Sequence, residues 1–294
     1  MRGAFRGSLV ALPTPFRDGR LDFPALRRLI EFQLEGGSDG LVVAGSTGEA
    51  ATLTTRERLS VIEFCVGNAD GRAPVLAGVG ASDTRVACEL ALAAERVGVD
   101  GLLVSTPAYN RPQQRGLVAH FGAIAGVSKL PLVLYNIPSR TGVDLLPATV
   151  QAIARGHPNV IAIKEAGTSL GRVKELVALD AVDVLAGEDT WITDALHLGA
   201  LGVVGVAANV APKLVAELVH GLLAGDEKRT PALAEKLAPL ITALFAETNP
   251  APLKAALEMM NLCAGELRLP LVAIEDGTRS ELRAALVGAG VLAR

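Results

Sequence analysis

Lys164 closes the apolar run Val160-Ile161-Ala162-Ile163. An amine held at the end of an otherwise apolar strand loses hydration, and desolvation favours the neutral form that attacks a carbonyl. The plainer reading makes Lys164 a solvated loop residue paired with Glu165, because structural ion pairs are common. The chain has 2 tyrosines, one in Thr106-Pro107-Ala108-Tyr109-Asn110-Arg111-Pro112 and the other in Leu134-Tyr135-Asn136-Ile137-Pro138-Ser139-Arg140-Thr141-Gly142. A phenol beside an amine nucleophile can move the protons of imine formation and breakdown. Each is otherwise a buried tyrosine whose hydroxyl needs one partner. Gly45-Ser46-Thr47-Gly48-Glu49 presents backbone N–H groups and two hydroxyls to an anion, or is a turn shaped by its glycines with no ligand. It has neither the lysine of a P-loop nor the third glycine of a dinucleotide fingerprint, which argues against a nucleotide. Arg140 can grip a carboxylate through two N–H groups, although a lone loop arginine is commonly just solvated.

These residues need a frame that brings them together. Short Val-, Leu- and Ile-rich runs predict strands at 9–12, 41–45, 75–79, 101–106, 132–136, 160–164, 182–187 and 202–206, with helical spacing between them. In the 22–35 segment, Leu26, Leu29, Ile30 and Gln33 fall on neighbouring turns, and Thr54 with Glu57 forms a capping-box pattern. A partial repeat supports the alternation: Gly37-Ser38-Asp39-Gly40, Gly98-Val99-Asp100-Gly101 and Gly199-Ala200-Leu201-Gly202 each read as a helix-ending glycine, a tight turn and a strand. Eight such units predict an α/β fold, a closed (β/α)8 TIM barrel, whose active-site mouth lies at the strand C-termini. After about Gly225 the alternation stops, and segments 232–245, 252–262 and 279–287 read as a helical appendage packed on the barrel. The expected organisation is therefore a catalytic barrel over 1–225 and a helical region over 226–294.

Composition excludes several classes of function. Half of the 294 residues are hydrophobic, and 28 Lys and Arg against 31 Asp and Glu leave a net charge of -3. That balance excludes a disordered chain and gives no basic surplus for nucleic acid. The stretch from Met1 to Leu9 lacks the apolar core of a secretory signal, so export is not expected. Mean hydropathy is +0.39. The longest uncharged run, Ala195 to Pro212, nevertheless falls short of the ~20 residues a membrane span needs, so no membrane partner is expected. The 3 widely spaced cysteines fit reduced thiols in a cytoplasm, and the 4 scattered histidines show no metal-ligand spacing.

Taken together, GSTGE at 45–49, PAYNRP at 107–112, YNIPSRTG at 135–142, IKEA at 163–166, AGED at 186–189 and NPAPLK at 249–254 resemble the dihydrodipicolinate synthase family, from Gly7 to about Leu292. GSTGE and YNIP singly are shared with the wider pyruvate-dependent class I aldolases, including N-acetylneuraminate lyase. The resemblance implies that Lys164 forms a Schiff base with pyruvate, whose enamine attacks L-aspartate 4-semialdehyde, in lysine and diaminopimelate biosynthesis. It implies a proton relay of Tyr135, Ser46 and Tyr109, the last reaching in from a neighbouring subunit of a homotetramer. Backbone around Ser46 and Thr47 would hold the pyruvate carboxylate, Arg140 the carboxylate of the second substrate, and Gly187 and Val206 would lie at the binding pocket. No cofactor and no metal are implied. The family commonly has threonine where this chain has Ser46, which keeps the hydroxyl and loses the χ1 restriction of a β-branched residue. The family's lysine-effector positions align with Val86, Arg58, Ala50 and Ala108, none of which suits a cationic amino acid, so weak or absent feedback by L-lysine is expected. Two other readings stand beside this one: an aldolase for a 2-keto-3-deoxy sugar acid or sialic acid, and a non-catalytic carbonyl-binding barrel. Arg140 argues against the first, since sugar-acid lyases usually carry a smaller or apolar residue there. Retention of Lys164 with both tyrosines argues against the second.

Overall fold

The computed structural model describes residues 2–167 and 169–293. The elements run β1 (Gly7–Ala11), a small hairpin of β2 (Phe16–Arg17) and β3 (Arg20–Leu21), α1 (Phe23–Glu35), β4 (Gly40–Val43) and α2 (Thr55–Ala69). Next come β5 (Val75–Gly78), α3 (Thr84–Val97), β6 (Gly101–Ser105), α4 (Gln114–Val127), β7 (Leu132–Asn136), α5 (Pro138–Thr141) and α6 (Pro147–Gly156). The barrel is completed by β8 (Val160–Glu165), α7 (Leu170–Leu179), β9 (Asp183–Ala186), α8 (Ile192–His197), β10 (Gly202–Gly205) and α9 (Pro212–Leu223). Three helices follow: α10 (Thr230–Leu244), α11 (Ala251–Met259) and α12 (Asp276–Gly288).

Eight parallel strands close in the order β1-β10-β9-β8-β7-β6-β5-β4, with β1 paired to both β10 and β4. Each predicted strand is present to within two residues. The β2–β3 hairpin is an addition: two-residue strands are too short for a period-2 pattern to register.

Alternation along the strands sorts their side chains into two cores. Leu41, Val43, Val75, Leu102, Val104, Leu132 and Leu134 pack outward under the helices, while Leu9, Val42, Leu76, Leu103, Val133, Leu185 and Val204 fill the barrel. Local signals behave as their chemistry requires. Asp22 caps α1 by accepting from the Ala25 N–H at 3.0 Å. Thr54 and Glu57 exchange both capping-box bonds, at 3.2 and 2.9 Å. Gly37, Gly98 and Gly199 of the repeat have φ of 84°, 89° and 103°, a left-handed conformation that a side chain would strain.

Strand β8 breaks the alternation. Leu132 of β7 is in register with Val160, but the next residue, Val133, is in register with Ala162. The extra residue is a β-bulge, which reverses the facing of everything after it. Val160 belongs to the outer core, whereas Ile161 and Ala162 both belong to the inner one.

The C-terminal helices share the outer core. Leu237, Leu240 and Leu244 of α10, Leu253 and Leu257 of α11 and Leu282 of α12 are buried in the same apolar cluster as the helix-facing strand residues. Among the described residues no helix is long and apolar enough to cross a membrane.

Candidate active site

Past the bulge, β8 turns Lys164 inward and Glu165 outward. Tyr135 and Lys164 are register partners on β7 and β8, and the lysine Nζ lies 4.4 Å from the centroid of the tyrosine ring. Both are buried, each 6% exposed, at the C-terminal ends of their strands. The solvated-loop reading of Lys164 therefore fails, and so does its pairing with Glu165. The Glu165 carboxylate instead accepts from Asn136 Nδ2 at 3.0 and 3.2 Å behind the strands, and burial pushes its carboxyl up to about 7.

The turn after β4 lies on the same mouth. The amide N–H groups of Ser46, Thr47 and Gly48 find no acceptor among the described residues, whereas those of Glu49 and Ala50 bond back to Ser46 and Gly45. Such a run of free amides favours an anion. The turn is fastened from several sides: Thr14 Oγ1 donates to the Gly48 carbonyl at 2.7 Å, and Asn249 Nδ2 donates to Thr47 Oγ1 at 3.0 Å. Glu49, at φ 52°, forms a fully buried ion pair with Lys254 and accepts from the Arg268 N–H at 3.0 Å.

A cavity of about 530 Å³ opens between these parts, lined among others by Ser46, Tyr135, Arg140 and Asn249. Lys164 is not itself in the lining; its Nζ lies against the ring of Tyr135, which is. Arg140, exposed on α5, donates through Nη2 to the Asn249 carbonyl at 2.9 Å, and its other side-chain N–H groups meet no acceptor among the described residues. Half-buried Glu188 adds an acidic group: burial raises its carboxyl, and the nearby charges of Lys164 and Arg140 oppose that rise.

The remaining predicted residues separate. Gly187 donates to the Glu165 carbonyl at 2.8 Å, and a Cβ there would meet the Ala166 side chain at 2.7 Å, so the close approach requires glycine. Val206 is buried, with its N–H on Asp189 at 2.8 Å and its carbonyl accepting from Asn209 N–H and Nδ2 at 2.9 and 3.0 Å. Its backbone serves the mouth structurally and has no free polar group. Tyr109 is not brought to Tyr135 and Ser46 within the chain; it is 92% exposed at φ 72°. Residues without a role in the sequence reading also emerge here: Asn249, Glu188 and Asp189. Their signal was membership in the NPAPLK and AGED strings, which named positions but not contacts.

This geometry has known relatives. The family model described as the Dihydrodipicolinate synthetase family matches residues 4–289. A 4-hydroxy-tetrahydrodipicolinate synthase of Pelobacter propionicus is 45% identical over 98% of this chain and 100% of its own. The dihydrodipicolinate synthase from Aquifex aeolicus superposes with a TM-score of 0.96 at 42% identity, over 98% of this chain and 99% of that one. The chloride-inhibited dihydrodipicolinate synthase from Acinetobacter baumannii, solved in complex with pyruvate, gives 0.95 at 41% identity over 98% and 99%. With a family model spanning nearly its whole length and relatives of this identity and coverage, the chain belongs to the dihydrodipicolinate synthetase family.

Proposed function

We propose that this chain catalyses the 4-hydroxy-tetrahydrodipicolinate synthase reaction, condensing pyruvate with L-aspartate 4-semialdehyde in lysine and diaminopimelate biosynthesis. The observation that carries the reading is the inward pair of Tyr135 and Lys164, registered on adjacent strands with Nζ 4.4 Å from the ring centroid. Lys164 Nζ adds to C2 of pyruvate, and loss of water gives the imine. Removal of a methyl proton gives the enamine, whose C3 bonds to the aldehyde carbon while the aldehyde oxygen takes up a proton. The amine of the second substrate then displaces Lys164 from C2, closing the ring and returning the free lysine. Tyr135 and Ser46 carry these protons, joined by Tyr109 from a second copy. The free amides at 46–48 cradle the pyruvate carboxylate, and Arg140 takes the carboxylate that arrives second. Gly187 and Val206 support the pocket from behind its lining, the first by its close approach to Glu165 and Ala166 and the second through its backbone bonds to Asp189 and Asn209. The barrel over 1–225 supplies the chemistry and the helical region over 226–294 braces it.

Assembly as a homotetramer is supported by Tyr109, a bulky residue in the left-handed region whose side chain its own chain leaves exposed. Holding such a residue there costs about 1–3 kcal/mol, which a contact with a second copy offsets. A cytoplasmic setting is supported by Cys65, Cys88 and Cys263, all free thiols. Borohydride reduction with pyruvate present tests the central claim: a stable mass increment on the peptide containing Lys164 is expected, and labelling of another lysine sinks it.

A further inference from the structure

Asn249 lies in the connection between α10 and α11, more than 200 residues from the turn it touches. It is 7% exposed and lines the cavity. Two of its groups act on two different parts of the site. Its side-chain Nδ2 donates to Thr47 Oγ1 at 3.0 Å, and its backbone carbonyl accepts from Arg140 Nη2 at 2.9 Å. The first contact belongs to the turn after β4 and the second to the helix after β7, so one residue links the two places where carboxylates are expected to bind.

We infer that Asn249 is a positioning residue that fixes the direction of the Thr47 hydroxyl and holds Arg140 at a set distance from the amide cradle. The direction follows from donor and acceptor bookkeeping. A hydroxyl has one proton and two lone pairs, and Asn249 occupies a lone pair. Among the described residues none accepts from Thr47 Oγ1, so its proton stays available to an acceptor bound at this turn, next to the open N–H groups of residues 46–48. Thr47 is 4% exposed, so it has no bulk water to reorient it. The connection that carries Asn249 is itself anchored, because Lys254 in the next helix pairs with Glu49 of the same turn. Orienting a donor before the ligand arrives removes a reorganisation cost from binding.

The inference rests on the reading that pyruvate binds at this turn. Its test is a pyruvate titration of the borohydride-trapped Lys164 adduct by mass spectrometry, on the full-length wild type, Asn249→Ala, Asn249→Asp and Thr47→Val, with thermal melts alongside. Asn249→Ala should raise the half-saturating pyruvate concentration about 10-fold, the effect of one lost hydrogen bond to a charged ligand. Asn249→Asp, though nearly the same shape, should be worse by at least about a further 10-fold. Its oxygens only accept, so they capture the Thr47 proton and place negative charge beside the ligand carboxylate. Thr47→Val should resemble Asn249→Ala, and it checks the hydroxyl without altering position 249. The opposite order, with Asn249→Asp close to wild type and Asn249→Ala impaired, means that Asn249 acts by shape alone and overturns the inference. Wild-type affinity in Thr47→Val overturns it too. Failure of the wild type to form any adduct instead overturns the pyruvate reading beneath it.

Discussion

Lys254→Met tests whether the C-terminal helices hold the substrate turn in place. Lys254 is fully buried, pairs with Glu49, donates to the Glu266 carbonyl at 2.8 Å and lies 4.1 Å from the centroid of the Phe16 ring. Burial lowers the pKa of its ammonium, and the Glu49 charge opposes that shift. Methionine fills the same space without the charge, leaving a fully buried carboxylate whose one remaining donor among the described residues is the Arg268 N–H. Removing one partner of a buried pair costs about 3–5 kcal/mol. For 294 residues, at about 2.1 cal/mol/K each, the entropy of unfolding is about 0.6 kcal/mol/K, so the midpoint should fall by about 5–8 °C. The double variant Glu49→Gln/Lys254→Met removes both charges and should recover most of that loss, giving a large coupling energy in a double-mutant cycle. Thermal denaturation by circular dichroism reads the stability, and a coupled assay reads turnover, which should fall in the single variant because Glu49 ends the turn carrying Ser46 and Thr47. A Lys254→Met protein that melts with the wild type, or a double variant that melts below both single ones, refutes the argument.

Arg140→Ala should still form the pyruvate adduct while synthase turnover drops at least ~10-fold, about 1.4 kcal/mol of transition-state stabilisation; an unchanged rate with unchanged aldehyde KM removes Arg140 from that role. Glu165 predicts a pH effect on stability, because burial pushes its carboxyl up to about 7. The folded state then binds more protons than the unfolded one between the ordinary carboxyl range and pH ~7, so stability falls as pH rises through that window by up to about 3 kcal/mol and levels off above it. Glu165→Gln should abolish that fall in urea titrations at pH 5 and pH 8, and an identical pH profile in variant and wild type contradicts the assignment. L-lysine should inhibit weakly or not at all: Ala50, Arg58 and Ala108 line the cavity, and the Arg58 guanidinium, held by the Gly78 carbonyl at 3.0 and 2.6 Å, would meet a cationic ligand with like charge. Half-inhibition at sub-millimolar L-lysine in the synthase assay overturns this expectation.

Much of the fold is written in local pattern. The apolar runs place all eight barrel strands, Thr54 and Glu57 announce the start of α2, and the repeated glycines mark left-handed turns that only glycine enters freely. These features depend on neighbours a few residues apart, so a linear reading contains what decides them. The residue types of the site are equally legible, since a scarce tyrosine and a lysine closing an apolar run stand out from their surroundings.

Which way Lys164 faces is a different matter. Strict alternation from Val160, an outer-core residue, would send Ala162 and Lys164 outward with it, and only the bulge opposite Leu132 and Val133 brings the amine in beside Tyr135. A bulge arises from the register of two strands and leaves no mark in the periodicity of one. The contacts of Asn249 with Thr47 and of Lys254 with Glu49 likewise join segments about 200 residues apart. The sequence by itself determined the elements and the chemical groups, because both follow from local propensity and residue type. Tertiary structure alone decided their facing and their partners, because barrel closure and packing select one register among several that the same local preferences allow.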